Sequence, residues 1–266
     1  MRWDNLRLDE SAEEAAGPRG LFERSAVTRT FDTPGFRGMT FYEVHAKSVI
    51  NRVPPASRMS FRWTINPYRG CSHACVYCFA RSTHSYLDFD TGRDFDTRVV
   101  VKVNAPQRAR QELASPRWGR AHAGEHIAMG TNVDPYQRAE GRYRLMPGII
   151  EALRDAANPF SVLTKGTLIL RDLDLLREAA EVTEVALNVS VGFTDHDLWR
   201  TLEPGTPNPS RRLQVCSELS EAGLGCGVLM GPIVPYLTDS PRALEASVRE
   251  IAQAGATHVV PIVLHL

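Results

Sequence analysis

Three cysteines crowd into eight residues, Cys71, Cys75 and Cys78, within the stretch Asn66-Pro-Tyr-Arg-Gly-Cys-Ser-His-Ala-Cys-Val-Tyr-Cys-Phe-Ala-Arg81. The spacing C-x3-C-x2-C lets one loop wrap three thiolates around a soft metal centre. A [4Fe–4S] cluster ordinarily takes four cysteines, so a local supply of three leaves one iron open. An open coordination position marks a centre that binds a ligand rather than one that only staples the fold, by the logic that separates catalytic from structural zinc. The alternative is a zinc-stapled, non-catalytic binding module in which His73 or His84 supplies the fourth ligand. Zinc sites more often use paired C-x2-C knuckles, and Cys216 and Cys226 lie ten residues apart, so the spacing favours iron–sulfur.

The rest of the chain must position that loop. Its 266 residues carry 31 Lys+Arg against 31 Asp+Glu, a net charge of zero that argues against a polyanion binder held by bulk charge. With 43% hydrophobic and 23% charged residues the composition is that of a globular protein. Five unevenly placed cysteines do not make a disulfide framework and point to a reducing, cytoplasmic setting. The N-terminus has acidic residues and no apolar core, unlike a signal or transit peptide, and no run approaches the ~18 apolar residues of a membrane span.

Residues 1–60 are expected to be a loop-rich N-terminal extension, broken by Gly17-Pro18, Thr33-Pro34-Gly35, Gly38 and Pro54-Pro55. Within it, 41–51 reads as a short helix or strand. From 61 to 266 short β-rich runs alternate with amphipathic segments. Strands are expected at 61–66, 126–130, 160–164, 184–191, 225–230 and 257–264. Between them, Met146, Ile149, Ile150 and Leu153 form one helical stripe and Leu244, Val248 and Ile251 another. Ser240-Pro241 reads as an N-cap followed by an N1 proline, and Gly255 as a C-cap. Six strands separated by helices make an α/β protein with a parallel sheet, open or closed into a barrel. Pro261 favours a sixth strand at the edge, and no helix follows to cover it, so the last helix is expected to lie in a continuation of the chain.

The cysteine segment resembles the signature of the radical S-adenosylmethionine (radical SAM) enzymes, C-x3-C-x-aromatic-C, which Cys71, Cys75, Tyr77 and Cys78 match throughout. Further segments are similar to the branch related to spore photoproduct lyase: Asn66-Pro-Tyr-Arg-Gly, Gly130-Thr-Asn-Val-Asp-Pro-Tyr-Gln137, Leu163-Thr-Lys165, Leu202-Glu-Pro-Gly-Thr206 with Arg212, and Gly231-Pro-Ile. The similarity runs from about residue 47 onward and is greatest to an actinobacterial radical SAM subfamily. It implies a partial (β/α)6 barrel, a [4Fe–4S] cluster on the three cysteines, and reductive cleavage of S-adenosylmethionine to a 5′-deoxyadenosyl radical that abstracts hydrogen from substrate. An external one-electron reductant of the flavodoxin or ferredoxin type is implied as partner, with nucleic acid one candidate substrate.

The same resemblance distributes cofactor contacts over the strand ends. Tyr77 would present its backbone to the adenine. Thr131 and Asp134 stand where the superfamily engages the methionine amino group, although the usual Gly-Gly-Glu is absent. Lys165 matches a cofactor-contacting lysine suited to the methionine carboxylate. Asn188 or Ser190 would meet the ribose, and Gly231 would let backbone approach the adenine. Spore photoproduct lyase uses a cysteine hydrogen donor after the second strand, where this chain has Gly130, a departure that separates cofactor cleavage from the lyase reaction.

Plainer readings stand beside these. Asp134 also suits a turn or helix cap, and Glu203 with Arg212 suits a buried structural ion pair. Cys216 shares an apolar face with Leu213 and Leu219, so it and Cys226 read as core thiols. The arginine-rich stretches 108–120 and 138–144 read as solvated faces rather than a nucleic-acid stripe.

Overall fold

The computed structural model describes residues 6–7, 26–57 and 59–265. Six parallel strands, β1 (Trp63–Ile65), β2 (Ile127–Met129), β3 (Phe160–Thr164), β4 (Val185–Ser190), β5 (Cys226–Ile233) and β6 (His258–Val263), lie side by side in the order of the chain. A consecutive order has no switch point, so every right-handed crossover moves the same way and the helices collect on one face. That winding excludes a doubly wound sheet. The helices are α1 (Ala105–Leu113), α2 (Leu145–Asp155), α3 (Leu173–Ala180), α4 (Pro209–Glu221) and α5 (Pro241–Gln253). No helix among the described residues is long and apolar enough to cross a membrane.

Alternation along each strand divides the sheet into two faces. Ile65, Ile127, Met129, Phe160, Val162, Leu187, Val189, Val228 and Met230 point into one core with Met146, Ile149, Ile150 and Leu153 of α2. The opposite face carries smaller or more polar residues, among them Thr64, Ser161, Asn188, Ser190, Gly227 and Gly231. The expected stripe on α5 needs correction. Leu244 and Ile251 turn inward, but Val248 is exposed and Ser247 takes the buried place. Its termini are as expected: Ser240 Oγ accepts from Ala243 N at 3.2 Å, and Gly255 has φ +77°.

The described part of the first sixty residues contributes more than loops, and the expected break at Gly17-Pro18 lies outside the described residues. Segment 41–51 resolves into strands Thr40–Ala46 and Ile50–Arg52, and the second pairs antiparallel with β1. Thr40–Ala46 belongs to a side sheet with Leu6–Arg7, Val27–Thr30, Arg98–Lys102 and Tyr68–Arg69. Met39, Phe41, Ala46 and Val49 join the same hydrophobic core as the main sheet. Among the described strands β6 is one edge of the main sheet and Ile50–Arg52 the other, and Pro261 is in register with Met230.

Candidate active site at the strand ends

The route from β1 to Cys71 runs through the short strand Tyr68–Arg69, which is hydrogen-bonded to Arg98–Lys102 of the side sheet. Gly70 follows with φ +79°, and a side chain there would stand 2.7 Å from Arg98 O and 3.0 Å from Phe95 O. Only glycine fits so close a turn. Cys71 N donates to Phe95 O at 2.9 Å. Buried Gln137 grips both sides of this cysteine: its Nε2 donates to Gly70 O at 2.9 Å and its Oε1 accepts from Ser72 N at 3.0 Å. Farther on, Arg81 Nε donates to Cys75 O at 3.1 Å while its guanidinium pairs with Asp96 at 2.8 Å.

All three thiols line one cavity of about 560 Å³. Burial pushes the Cys71 thiol well above its ordinary range and the Cys78 thiol up, and it pushes Cys75 up to about 12 although the Lys165 charge opposes it. Thiols held protonated by burial lose their protons to solvent when thiolate–metal bonds form, so a tightly bound metal centre offsets the burial. Among the described residues no three His, Cys, Asp or Glu side chains converge on a single-ion site. Tetrahedral zinc needs all its donors within about 2.3 Å of one point, whereas the thiolates of a cubane bind different irons. Three cysteines on one cavity wall are the donor set that a cluster with one open iron takes. Each proposed fourth zinc ligand has one ring nitrogen engaged, His84 Nε2 at 3.0 Å from Arg98 O and His73 Nδ1 at 3.3 Å from Asp134 Oδ2, and His73 also lines the cavity.

The cavity opens over the C-terminal ends of the strands. Tyr77, Thr131, Asp134, Lys165, Ser190 and Gly231 all line it together with the cysteines. Asn188 does not. It faces the same side of β4 as Ser190 but one layer deeper, in register with Gly227 and His258, where its Oδ1 closes over the bare Cα of Gly227. Of the two expected ribose contacts, the structure brings Ser190 to the cavity and leaves Asn188 beneath it.

Asp134 is a brace. Its Oδ1 accepts from Thr164 Oγ1 at 2.6 Å and Tyr136 N at 2.9 Å, and its Oδ2 accepts from Lys165 N at 2.6 Å. Burial raises its pKa, but the His73 charge and these hydrogen bonds outweigh burial and hold it below the usual carboxylate value. The carboxylate thus ties the end of β2 to the end of β3 as a turn residue does. Gly130, with φ +87°, lies so close to Leu163 O that a Cβ would collide with the carbonyl.

Lys165 Nζ donates to Ser190 Oγ at 2.5 Å and pairs with Glu203 Oε1 at 3.2 Å. Glu203 also accepts from the Tyr77 hydroxyl and from Arg212, whose other terminal nitrogen donates to Ser190 O at 2.8 Å. Both Glu203 and Arg212 are fully buried, so the expected ion pair exists. Burial alone would raise the Glu203 pKa; Lys165 and Arg212 hold it at about 2. Sequence reasoning treated the pair as separate from the site, whereas it reaches Tyr77 and Lys165 on the cavity wall. Gln137 was also missed, although it closes the quoted segment that begins at Gly130. Cys216 and Cys226 are buried in the core, away from the cavity.

Comparison with known proteins fits this arrangement. An uncharacterized protein of Mycobacterium tuberculosis is 52% identical over 269 residues, covering 100% of this chain and 77% of its own length. An uncharacterized protein of Methanocaldococcus jannaschii is 29% identical, covering 74% of this chain and 69% of its own. Among solved structures, spore photoproduct lyase complexed with dinucleoside spore photoproduct superposes with TM-score 0.56 at 18% identity, over 80% of this chain and 57% of that one. SuiB of Streptococcus suis bound to precursor peptide SuiA gives 0.53 at 16%, over 76% and 39%. These structures share the fold, and the chain spans about 57% or less of their lengths. The family model described as the Radical SAM superfamily matches residues 65–247, the interval that holds the three cysteines and every cavity residue from β1 to β5. The chain therefore belongs to the Radical SAM superfamily of enzymes.

Proposed function

We propose that Cys71, Cys75 and Cys78 hold a [4Fe–4S] cluster with one open iron, and that the adjoining cavity takes S-adenosylmethionine against it. The observation that carries this reading is the shared wall: three thiols, those of Cys71 and Cys75 buried and that of Cys78 half-buried, and the ends of β2 to β5 face one cavity of about 560 Å³. Held by Cys71, Cys75 and Cys78, the cluster would supply one-electron reductive cleavage of S-adenosylmethionine, with methionine leaving and hydrogen abstraction from substrate as the chemistry made available. The chain's own groups bind, orient and exclude water. Lys165 places a cation beside Ser190, suited to the methionine carboxylate. Thr131 adds a hydroxyl, and Gly231 leaves backbone open at the end of β5. Leu163, Leu229, Ile262 and Phe79 wall the cavity with apolar surface that keeps water from a reactive radical.

The electron is assigned to an external reductant of the flavodoxin or ferredoxin type, in a cytoplasmic setting. A nucleic-acid substrate draws no support from charge, because Lys165 is the one Lys or Arg lining the cavity among the described residues and Glu203 pairs with it. Anaerobic reconstitution with iron and sulfide tests the reading. The expected protein is brown, carries about four irons per chain, and releases 5′-deoxyadenosine when reduced in the presence of S-adenosylmethionine. A colourless chain holding one zinc overturns it.

A further inference from the structure

The segment Leu202-Glu-Pro-Gly-Thr206 makes contacts that the cofactor reading does not use. It follows the helix His196–Leu202 and is itself locked: Glu203 N donates to Trp199 O at 2.9 Å, Thr206 N to Glu203 O at 3.1 Å, and Trp199 Nε1 to Thr206 Oγ1 at 2.9 Å. From this rigid turn, backbone bonds reach across to the cysteine loop at two points. Gly205 N donates to His73 O at 3.0 Å, and Leu202 O accepts from Val76 N at 2.9 Å. The two bonds bracket Cys75. Between them the chains are in backbone contact: a Cβ on Gly205 would collide with Ser72 O and stand 2.8 Å from the His73 carbonyl carbon. A third attachment is the Tyr77 hydroxyl on Glu203, itself held by Arg212 from α4.

We infer that loop 202–206 is a clamp that sets the conformation of the cysteine loop, with Gly205 and Glu203 as positioning residues for the cluster. The inference rests on the cluster reading above. Residues 72–77 have two backbone bonds and one side-chain bond to this clamp, so the direction in which Cys75 and Cys78 present their sulfurs depends on a segment more than 120 residues away in sequence. Gly205 is required for space: an added methyl must push the loop at Ser72 and His73, next to two of the three ligands.

The test uses the full chain, reconstituted anaerobically, as wild type, Gly205→Ala, Glu203→Gln and the exposed-surface control Glu245→Gln. Iron loss to a chelator is followed by absorbance, and the reduced cluster by electron paramagnetic resonance with and without S-adenosylmethionine. Gly205→Ala is expected to lose iron about tenfold faster or more, the range seen when outer-shell support of a metal centre is removed. Glu203→Gln, nearly isosteric, is expected to keep its circular dichroism and shift the resonance signal, while the control matches wild type. If Gly205→Ala proves unfolded, Glu203→Gln decides by its spectrum. Wild-type chelation kinetics and spectra in both variants overturn the clamp while leaving the cluster reading intact. A wild type that takes up no iron overturns the cluster reading itself.

Discussion

Replacing Lys102 by methionine should stabilise the protein, and by an amount that depends on pH. Lys102 ends the side-sheet strand that holds Tyr68–Arg69, its backbone N donates to Pro67 O at 3.0 Å, and the residue is 5% exposed. Burial, aided by repulsion from Arg69 and opposed by Glu112, lowers its pKa from 10.5 to about 7. Below pH 7 the amine is charged in the folded and unfolded states alike, and the fold carries the whole burial cost. Between pH 7 and 10.5 the unfolded chain binds a proton that the folded chain does not, so stability rises with pH across that window. The gap corresponds to a cost on the order of 5 kcal/mol at pH 6, of which about 2 kcal/mol remains at pH 9. Methionine has similar length and no charge to bury. Urea unfolding of Lys102→Met and wild type at pH 6, 7.5 and 9 should therefore show an advantage for the variant that shrinks by about 3 kcal/mol from the lowest pH to the highest. Comparison at each pH cancels the cysteines, which titrate in both proteins. An advantage independent of pH, or a variant less stable at pH 6, would refute the reasoning.

Three further outcomes follow from the site. Cys75→Ala should abolish iron retention after reconstitution while Cys216→Ser, a core thiol away from the cavity, retains it; equal loss in both would mean that the ligands are misassigned. Gly130→Ala forces a side chain into a left-handed backbone against Leu163 O, and differential scanning calorimetry should find the melting temperature lower by more than about 4 °C. The Glu203 carboxylate, held at about 2 against an ordinary 4.5, contributes stability that is complete above pH 4.5 and is lost as pH falls toward 2. Acid unfolding of the apoprotein should accordingly be steeper in that window for wild type than for Glu203→Gln, and superimposable curves would contradict the assignment.

What was legible in the sequence was local. Cys71, Cys75 and Cys78 announce themselves by spacing, and 160–164 reads as β3 to the residue because a β-rich run ends at a lysine–glycine pair. The resemblance offered Asn188 or Ser190 for the ribose, and period-2 alternation sets both on one face of β4. It could not give depth, since depth depends on the stagger with β5, which sets Asn188 level with Gly227 under the cavity. On α5 the 3.6 period found the right face at Leu244 and Ile251 but preferred Val248 to Ser247, because composition ranks valine above serine and only the neighbouring strands decide which is covered. The side sheet escaped notice for a different reason. Its pieces Tyr68–Arg69 and Arg98–Lys102 are two and five residues long and interrupt the segment between β1 and β2, so no periodic run marks them. The Tyr77–Glu203 bond spans 126 residues, and no local pattern encodes it.

Charge balance acts at two scales in this protein, and both bear on what the cavity selects. The whole chain has equal numbers of acidic and basic residues, and the cavity repeats that balance in miniature: Lys165 faces Glu203, and Asp134 is spent on Thr164, Tyr136, Lys165 N and His73. Once these pairs are made, the described wall offers a substrate no unpaired charge from them. The fold does not choose the substrate, because the same superposition reaches one structure holding a dinucleoside photoproduct and another holding a peptide. On the proposed function, selection would rest with the outer wall, where Met59, Phe79, Ile262 and Val263 present apolar surface, and Met59, Phe79 and Val263 are more than half exposed. Such a wall discriminates by shape and contact, so binding of the natural substrate should weaken little with added salt, whereas a phosphate-tracking groove would lose affinity steeply over the same range.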